Sequence, residues 1–175
     1  EVAQRLNWNF VDSDEEIVKQ AGKPIAEVFQ QDGEGKFREL EHEAIEKACG
    51  QGQSVIAVGG GAIVDPRNYE LLARNGFIIC LEAKPETIYQ RLFHEAAYGP
   101  ELEVRPLLSD ENPLERIRQL KAQRQPYYAT ADWTVHTDNL SISQVAEEVI
   151  RGWGLLLKGE ELKGRSDMDE DIACE

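Results

Sequence analysis

Residues 55–64 constrain the fold of this chain more than any other stretch. The first four, Val-Ile-Ala-Val, are apolar, which predicts a short strand buried on both faces of a sheet. Three consecutive glycines, Gly59, Gly60 and Gly61, follow directly, and apolar residues then resume. A loop that only reverses the chain needs fewer glycines, so the triplet indicates a backbone that a ligand approaches closely. A flexible strand-to-helix turn is the alternative that the triplet alone leaves open.

Short apolar strands alternate with helices along the rest of the chain. Strands are predicted at residues 8–12, 55–58, 77–81 and 133–137. The strongest amphipathic helix is predicted at residues 36–49, and shorter helices at 14–20, 24–29, 67–74, 85–94, 113–123 and 141–153. This alternation predicts an α/β fold, with a parallel sheet covered by helices on both faces in three layers.

The length of 175 residues fits one domain, which we assign to residues 1–155, followed by an acidic tail or linker at 156–175 that we expect to be disordered. The opening residues look like the end of an amphipathic helix without a cap, so we expect a further element before residue 1. A net charge of −14 argues against binding to nucleic acid or to an anionic membrane. Three cysteines without metal or redox spacing favour a reducing, cytoplasmic setting.

Two carboxylates, Asp12 and Asp14, lie at the end of the first predicted strand. If the extended conformation continues, both side chains point to the same side of the chain. One could then hold a metal ion or its water shell, while the other accepts hydrogen bonds from a hydroxyl group. Helix N-capping, which aspartate does routinely, is the alternative and is favoured when the pair is considered alone.

Several arginines are candidates for binding an anion. Arg38 and Glu41 lie three residues apart on the predicted long helix, where the carboxylate could hold the guanidinium for bidentate capture of a substrate carboxylate. Arg105 follows an irregular segment, at residues 95–103, that could close over phosphates. Arg124 precedes Pro126, where a helix is expected to end. Each alone could equally be a solvated surface residue.

The order of these motifs resembles the shikimate kinase family of small P-loop kinases, over residues 1–153. Asp-Ser-Asp follows one strand, Phe-Arg-x-x-Glu begins the long helix, and Gly-Gly-Gly follows the next strand. Arg-Pro-Leu-Leu and then Arg-x-Pro-x-Tyr complete the set. The resemblance implies ATP-dependent phosphorylation of the 3-hydroxyl of shikimate in aromatic amino-acid biosynthesis, by a monomer that can be fused to a further domain.

The resemblance also implies a substrate site. Asp14 would hydrogen-bond the shikimate hydroxyls and act as, or assist, the base for the 3-hydroxyl. Arg38 and Arg124 would bind the shikimate carboxylate, and Glu41 would orient Arg38. Backbone N–H groups of the glycine triplet would contact the ring hydroxyls.

For the cofactors, the resemblance implies ATP and Mg²⁺. Asp12 would act on Mg²⁺ through water, and Arg105 would neutralise charge on the transferred phosphoryl group. Arg91 and the loop at Asp138 would flank the adenine.

The sequence departs from the family in one respect. The phosphate-binding loop Gly-x-x-x-x-Gly-Lys does not occur in these 175 residues. The family places the strand that leads into this loop in the middle of a five-stranded sheet of order 2-3-1-4-5, so we expect a gap in the core and no catalytic activity in the chain as given. Two alternatives stay open: a non-catalytic shikimate kinase-like binding protein, and a related small-molecule kinase.

Overall fold

The computed structural model describes the backbone of residues 1–95 and 112–172, and the side chains of 1–92 and 112–159 within them. The strands are β1 (Asn9–Asp12), β2 (Ser54–Ala57), β3 (Ile79–Glu82) and β4 (Trp133–His136). The helices are α1 (Val2–Leu6), α2 (Ser13–Ala21), α3 (Ile25–Gln31), α4 (Gly33–Cys49), α5 (Pro66–Asn75), α6 (Pro85–Glu95), α7 (Pro113–Tyr128) and α8 (Ile142–Ile172). A 3-10 helix, Ala62–Val64, follows the glycine triplet.

The strands form two separate parallel pairs, β1–β2 and β3–β4. They fit the order 2-3-1-4-5, with its central strand left out, that the resemblance implies. Residues of β2 and β3 line a cleft of about 1980 Å³. Because β2 borders this cleft, its residues are only partly buried, and the prediction that they are buried on both faces is wrong. Cys80, on β3, also lines the cleft.

The best-packed part of the core lies between α2, α3 and α4. As the helical spacing predicts, α4 buries one continuous apolar stripe, which consists of Phe37, Leu40, Ala44, Ile45 and Ala48. Ile17 and Val28, from α2 and α3, are fully buried against this stripe. The rings of Phe29 and Phe37 have centroids 4.5 Å apart. Helix α4 begins at Gly33, three residues earlier than predicted. This packing gives the face of α4 that carries Arg38 and Glu41 a fixed base.

Two predicted helix ends are wrong. Helix α7 continues through Pro126 to Tyr128, so Arg124 lies inside the helix and not at its end. A proline there forfeits one backbone hydrogen bond, but the turn is closed beyond it by the Ala129 amide, which donates to the Gln125 carbonyl at 3.0 Å. Helix α8 continues to Ile172, where we expected helix only to about residue 153 and then a disordered tail. No proline occurs beyond Pro126 to interrupt it.

Helix α8 packs closely on β4 because residue 152 is a glycine. A Cβ atom added to Gly152 would lie 2.6 Å from Cδ1 of Trp133. One residue later, the ring of Trp153 meets that of Trp8 edge to face, at a centroid distance of 5.0 Å. These contacts join the β3–β4 half to the segment between α1 and β1. Within residues 1–95 and 112–172, no helix combines the length and the apolar character needed to cross a membrane.

Candidate active site

The glycine triplet at the carboxyl end of β2 is the centre of the candidate site. Its residues are in close contact with polar side chains from three helices. A Cβ atom added to Gly59 would lie 3.5 Å from Oδ1 of Asp14 and 3.8 Å from Oε1 of Glu41. These carboxylates come from α2 and α4 respectively. The space beside Gly59 is therefore bordered by acceptors of hydrogen bonds.

The next two glycines face guanidinium groups instead. A Cβ atom on Gly61 would lie 3.1 Å from Nη1 of Arg38 and 3.4 Å from Nη2 of Arg124. On Gly60 it would lie 3.3 Å from Nη1 of Arg124. Arg38 and Arg124 are 86 positions apart in the sequence, yet both reach the same short piece of backbone. The structure thus brings together Asp14, Glu41, both arginines and the glycine triplet, the residues to which the resemblance assigns the substrate site.

Arg38 is held in place before any ligand binds. Its Nη1 donates to Oε2 of Glu41 at 2.8 Å, and its Nη2 donates to Oε1 of Glu34 at 3.1 Å. The guanidinium also lies over the ring of Phe37, 5.2 Å from its centroid. Burial alone would lower the pKa of Arg38, but the two carboxylates outweigh it and hold this pKa above its ordinary value. Arg38 therefore stays charged and oriented.

Glu41 is the most deeply buried charged group of the site, with 1% of its surface exposed. Burial raises the pKa of Glu41. The hydrogen bond from Arg38 opposes this rise, while the negative charges of Asp14 and Asp65 add to it. Burial dominates, because the carboxylate is enclosed on nearly every side. The buried carboxylate of Glu41 holds the partly exposed Arg38 in place, although the burial of this carboxylate costs desolvation free energy.

Asp12, the last residue of β1, and Asp14 are arranged differently from the extended pair that we expected. Helix α2 begins at Ser13, so the strand conformation ends at Asp12. Asp12 is the N-cap residue: its Oδ1 accepts from the backbone N–H groups of Asp14, at 2.9 Å, and Glu15, at 3.4 Å. The N-capping alternative is thus correct for Asp12, and Asp14 in the first helical turn is the carboxylate that reaches the glycine triplet.

Tyr128 also belongs to the site, although the sequence marks it only as the last residue of the Arg-x-Pro-x-Tyr motif. Its hydroxyl donates to the carbonyl oxygen of Gly60 at 2.8 Å. Because α7 continues past Pro126, Tyr128 lies four residues after Arg124, on the same face of the helix. The spacing could have indicated this if the proline had not suggested that the helix ends.

Arg91 and Asp138 are not part of this cluster. Arg91 donates to Oγ1 of Thr137 at 2.8 Å and to its carbonyl oxygen at 2.6 Å. Asp138 accepts from the Lys84 amide at 2.8 Å and from the Thr87 hydroxyl at 2.6 Å. The hydrogen bond from Thr87, followed by that from the Lys84 amide, lowers the pKa of Asp138. Asp138 thus joins the loop after β4 to the loop after β3, and Arg91 joins α6 to the loop after β4.

Arg105 lies outside the described residues. Across residues 1–95 and 112–172, no cluster of three or more histidine, cysteine, aspartate or glutamate side chains has the arrangement needed to hold a metal ion.

The chain is similar to known proteins over most of its length. The family described as shikimate kinase matches residues 1–153. A shikimate kinase from Caldanaerobacter subterraneus subsp. tengcongensis is 42% identical over 158 residues, which cover 90% of this chain and 88% of the relative.

Solved structures show the same relationship. The shikimate kinase from Acinetobacter baumannii in complex with shikimate has a TM-score of 0.79 and 31% identity, over 90% of this chain and 83% of that one. The enzyme from Bacteroides thetaiotaomicron has a TM-score of 0.74 and 30% identity, over 89% and 87% of the two chains. On the combined strength of the profile, the sequence relatives and the fold, this chain belongs to the shikimate kinase family.

Proposed function

We propose that this protein takes part in the ATP-dependent phosphorylation of the 3-hydroxyl of shikimate. The observation that carries the proposal is the convergence of Arg38, Arg124 and Asp14 on one glycine triplet. Two guanidinium groups at one end and a carboxylate at the other complement a small molecule with a carboxylate opposite several hydroxyls. A solved relative at 31% identity carries shikimate.

The two arginines would bind the carboxylate of shikimate. Their guanidinium groups flank the same glycine, Gly61, so a carboxylate between them can accept from both. Glu41 and Glu34 already orient Arg38, so little conformational freedom is lost when the ligand binds. Lysine could not replace this forked geometry.

Asp14 would act on the hydroxyl end. It lies beside Gly59, so a ring held by the arginines at Gly61 presents its hydroxyls toward this carboxylate and toward the glycine backbone. Asp14 would accept a hydrogen bond from the 3-hydroxyl and take up its proton as the oxygen attacks a phosphoryl group. Phosphoryl transfer needs mainly positioning and charge neutralisation, which this set of residues provides.

ATP would supply the phosphoryl group, and the described residues fit it in part. Arg91 and Asp138 hold the loops after β3 and β4, where they could border an adenine. For Mg²⁺, both capping bonds of Asp12 end on Oδ1, so Oδ2 could reach the ion through its water shell. The sequence lacks Gly-x-x-x-x-Gly-Lys, so we expect these 175 residues to bind shikimate without turning ATP over.

Calorimetric titration with shikimate tests substrate binding. We expect binding by the chain as given, and binding weaker by at least about tenfold for the methyl ester of shikimate, which lacks the charged carboxylate. Arg38→Lys and Arg124→Lys should reduce the affinity for shikimate by a similar factor. Arg74→Ala is the control, because this side chain on α5 is 78% exposed and pairs only loosely with Glu70. No heat with shikimate would point to a related kinase with another substrate.

Catalysis needs a separate experiment. A variant that carries a family-type strand and phosphate loop ahead of residue 1 should release ADP only when shikimate is present, and Asp14→Asn should abolish this release while shikimate still binds. Shikimate binding without any ADP release from the restored protein would favour the non-catalytic alternative.

We also propose, from the odd cysteine count, a cytoplasmic location.

A further inference from the structure

The side chain of Asn68 is completely buried, with 0% of its surface exposed, although it lies on the amphipathic helix α5. Its Nδ2 donates to the carbonyl oxygen of Ala62 at 3.1 Å. Its Oδ1 lies 2.7 Å from Nδ1 of His42 on α4. A buried amide that is satisfied at both ends connects three segments of the chain by one side chain.

The donor and acceptor roles follow from these contacts. Only the NH₂ group of Asn68 can bond the Ala62 carbonyl, which fixes the orientation of the amide. Its oxygen must therefore face His42, and Nδ1 of His42 must carry the proton and donate it. The order of donation is thus His42 to Asn68 to the Ala62 carbonyl.

Asn68 connects the helix that carries Arg38 and Glu41 to the turn that follows the glycine triplet. His42 lies four residues after Arg38 and one after Glu41, on the same helix. Ala62 directly follows the glycine triplet, and its amide donates to the Gly59 carbonyl at 2.9 Å. The Val64 amide donates to the Gly61 carbonyl at 3.1 Å, so the bonds of this short turn restrain the backbone of the triplet.

We propose that Asn68 is a positioning residue, whose amide fixes the distance between the arginine-bearing face of α4 and the glycine triplet. This inference rests on the proposed function, because that distance determines whether Arg38 and the triplet can contact one ligand at the same time. A misplacement of about 1 Å in such an arrangement can cost a large factor in activity or affinity.

Three substitutions test the two hydrogen bonds of the Asn68 amide, together and one by one. Asn68→Ala removes both, and we expect it to weaken shikimate binding by about tenfold or more. Asn68→Asp keeps an acceptor for His42 but places an oxygen against the Ala62 carbonyl, so we expect at least as large a loss. His42→Gln keeps a donor toward Asn68, and we expect binding within about threefold of the wild type.

Two control variants show whether a loss of stability alone would weaken shikimate binding. Asn75→Ala removes an asparagine of the same helix whose amide bonds the Leu71 carbonyl, at 2.7 Å, within α5. Ile45→Val destabilises α4 through a fully buried side chain that makes no polar contact. Both controls should bind shikimate like the wild type at temperatures well below their own Tm.

A second measurement does not depend on shikimate. Hydrogen exchange at the amides of Ala62 and Val64, followed by NMR, reports whether the turn after the triplet stays closed. In Asn68→Ala we expect exchange at both amides to rise by about tenfold relative to Ile45→Val.

The exchange and binding measurements distinguish failure of this inference from failure of the proposed function. Unchanged exchange at Ala62 and Val64 in Asn68→Ala overturns the inference, as does shikimate affinity within twofold of the wild type. If the wild type does not bind shikimate but the two amides exchange faster in Asn68→Ala, the proposed function fails while the positioning role of Asn68 stands.

Discussion

The hydroxyl of Tyr128 donates a 2.8 Å hydrogen bond to the carbonyl oxygen of Gly60, 68 positions earlier in the chain. This bond ties the end of α7 to the loop after β2. Since Arg124 lies one helical turn before Tyr128, the bond also sets the distance at which Arg124 meets the glycine triplet.

Replacement of Tyr128 by phenylalanine removes this bond and little else. We expect the free energy of unfolding to fall by about 0.5–1.5 kcal/mol. The dissociation constant for shikimate should rise by about three- to tenfold, because Arg124 loses its fixed distance. Tyr127→Phe, on a tyrosine that is 41% exposed, serves as the control in thermal unfolding and calorimetry. Equal affinities of the two variants would contradict the prediction.

A methyl group on Gly60 should disturb the same contact from the other side. A Cβ atom there would lie 2.8 Å from the Tyr128 hydroxyl oxygen, which is too close for either group to stay in place. We expect Gly60→Ala to weaken shikimate binding by about tenfold or more.

Adding Tyr128→Phe to Gly60→Ala removes the atom that clashes. The double variant should therefore bind no more weakly than Gly60→Ala alone, a non-additive result that calorimetry would detect. Gly76→Ala is the control, since a Cβ atom there meets nothing within 4 Å. Fully additive losses in the double variant would show that the hydroxyl is not the cause.

Glu41 should make stability depend on pH. Because its pKa is raised in the folded protein, the folded state binds its proton more tightly than the unfolded state does. The contribution of Glu41 to stability is therefore most favourable at low pH and declines as pH rises from about 4.3, the unfolded value, through the higher folded value.

Glu41→Gln cannot titrate, so this decline should disappear. We expect the Tm of Glu41→Gln, relative to that of the wild type, to increase between about pH 4 and pH 7. Glu43→Gln, on the exposed face of the same helix, is the control. A Tm difference that stays constant over this range would mean that Glu41 titrates normally.

Gly152 and Gly154 on α8 offer a matched pair. We expect Gly152→Ala to destabilise the fold by about 1–3 kcal/mol, because the new Cβ atom would overlap the ring of Trp133. Gly154→Ala should be neutral or stabilise by up to about 1 kcal/mol, since its Cβ atom meets nothing within 4 Å. Urea unfolding measures both changes. Similar effects of the two substitutions would contradict this packing.

The sequence predicts those parts of the fold that depend on periodic apolar residues. The stripe of α4 follows helical spacing, so the helix, its buried face and the position of Arg38 beside Glu41 can all be read in advance. The convergence of Arg124 on the triplet was predicted only from the family resemblance. The sequence alone suggested that the helix ends near Pro126, whereas α7 continues to Tyr128.

Contacts between side chains and the carbonyl oxygens of distant turns could not be predicted. Asn68 looks like a surface residue of an amphipathic helix, and its partner, the Ala62 carbonyl, depends on a 3-10 turn that has no clear sequence signal. The same holds for Arg91, whose partner includes the Thr137 carbonyl. The N-cap role of Asp12 was among the alternatives, since aspartate before a helix favours it.

The candidate site joins parts of the chain that lie far apart in the sequence. Asp14, Arg38 and the glycine triplet come from α2, α4 and the loop after β2, whereas Arg124 and Tyr128 come from α7. A ligand held by both arginines would bridge α4 and α7, so its binding energy would also resist their separation. Shikimate would then stabilise the fold as well as serve as a substrate, and saturation with it should slow the separation of α4 from α7.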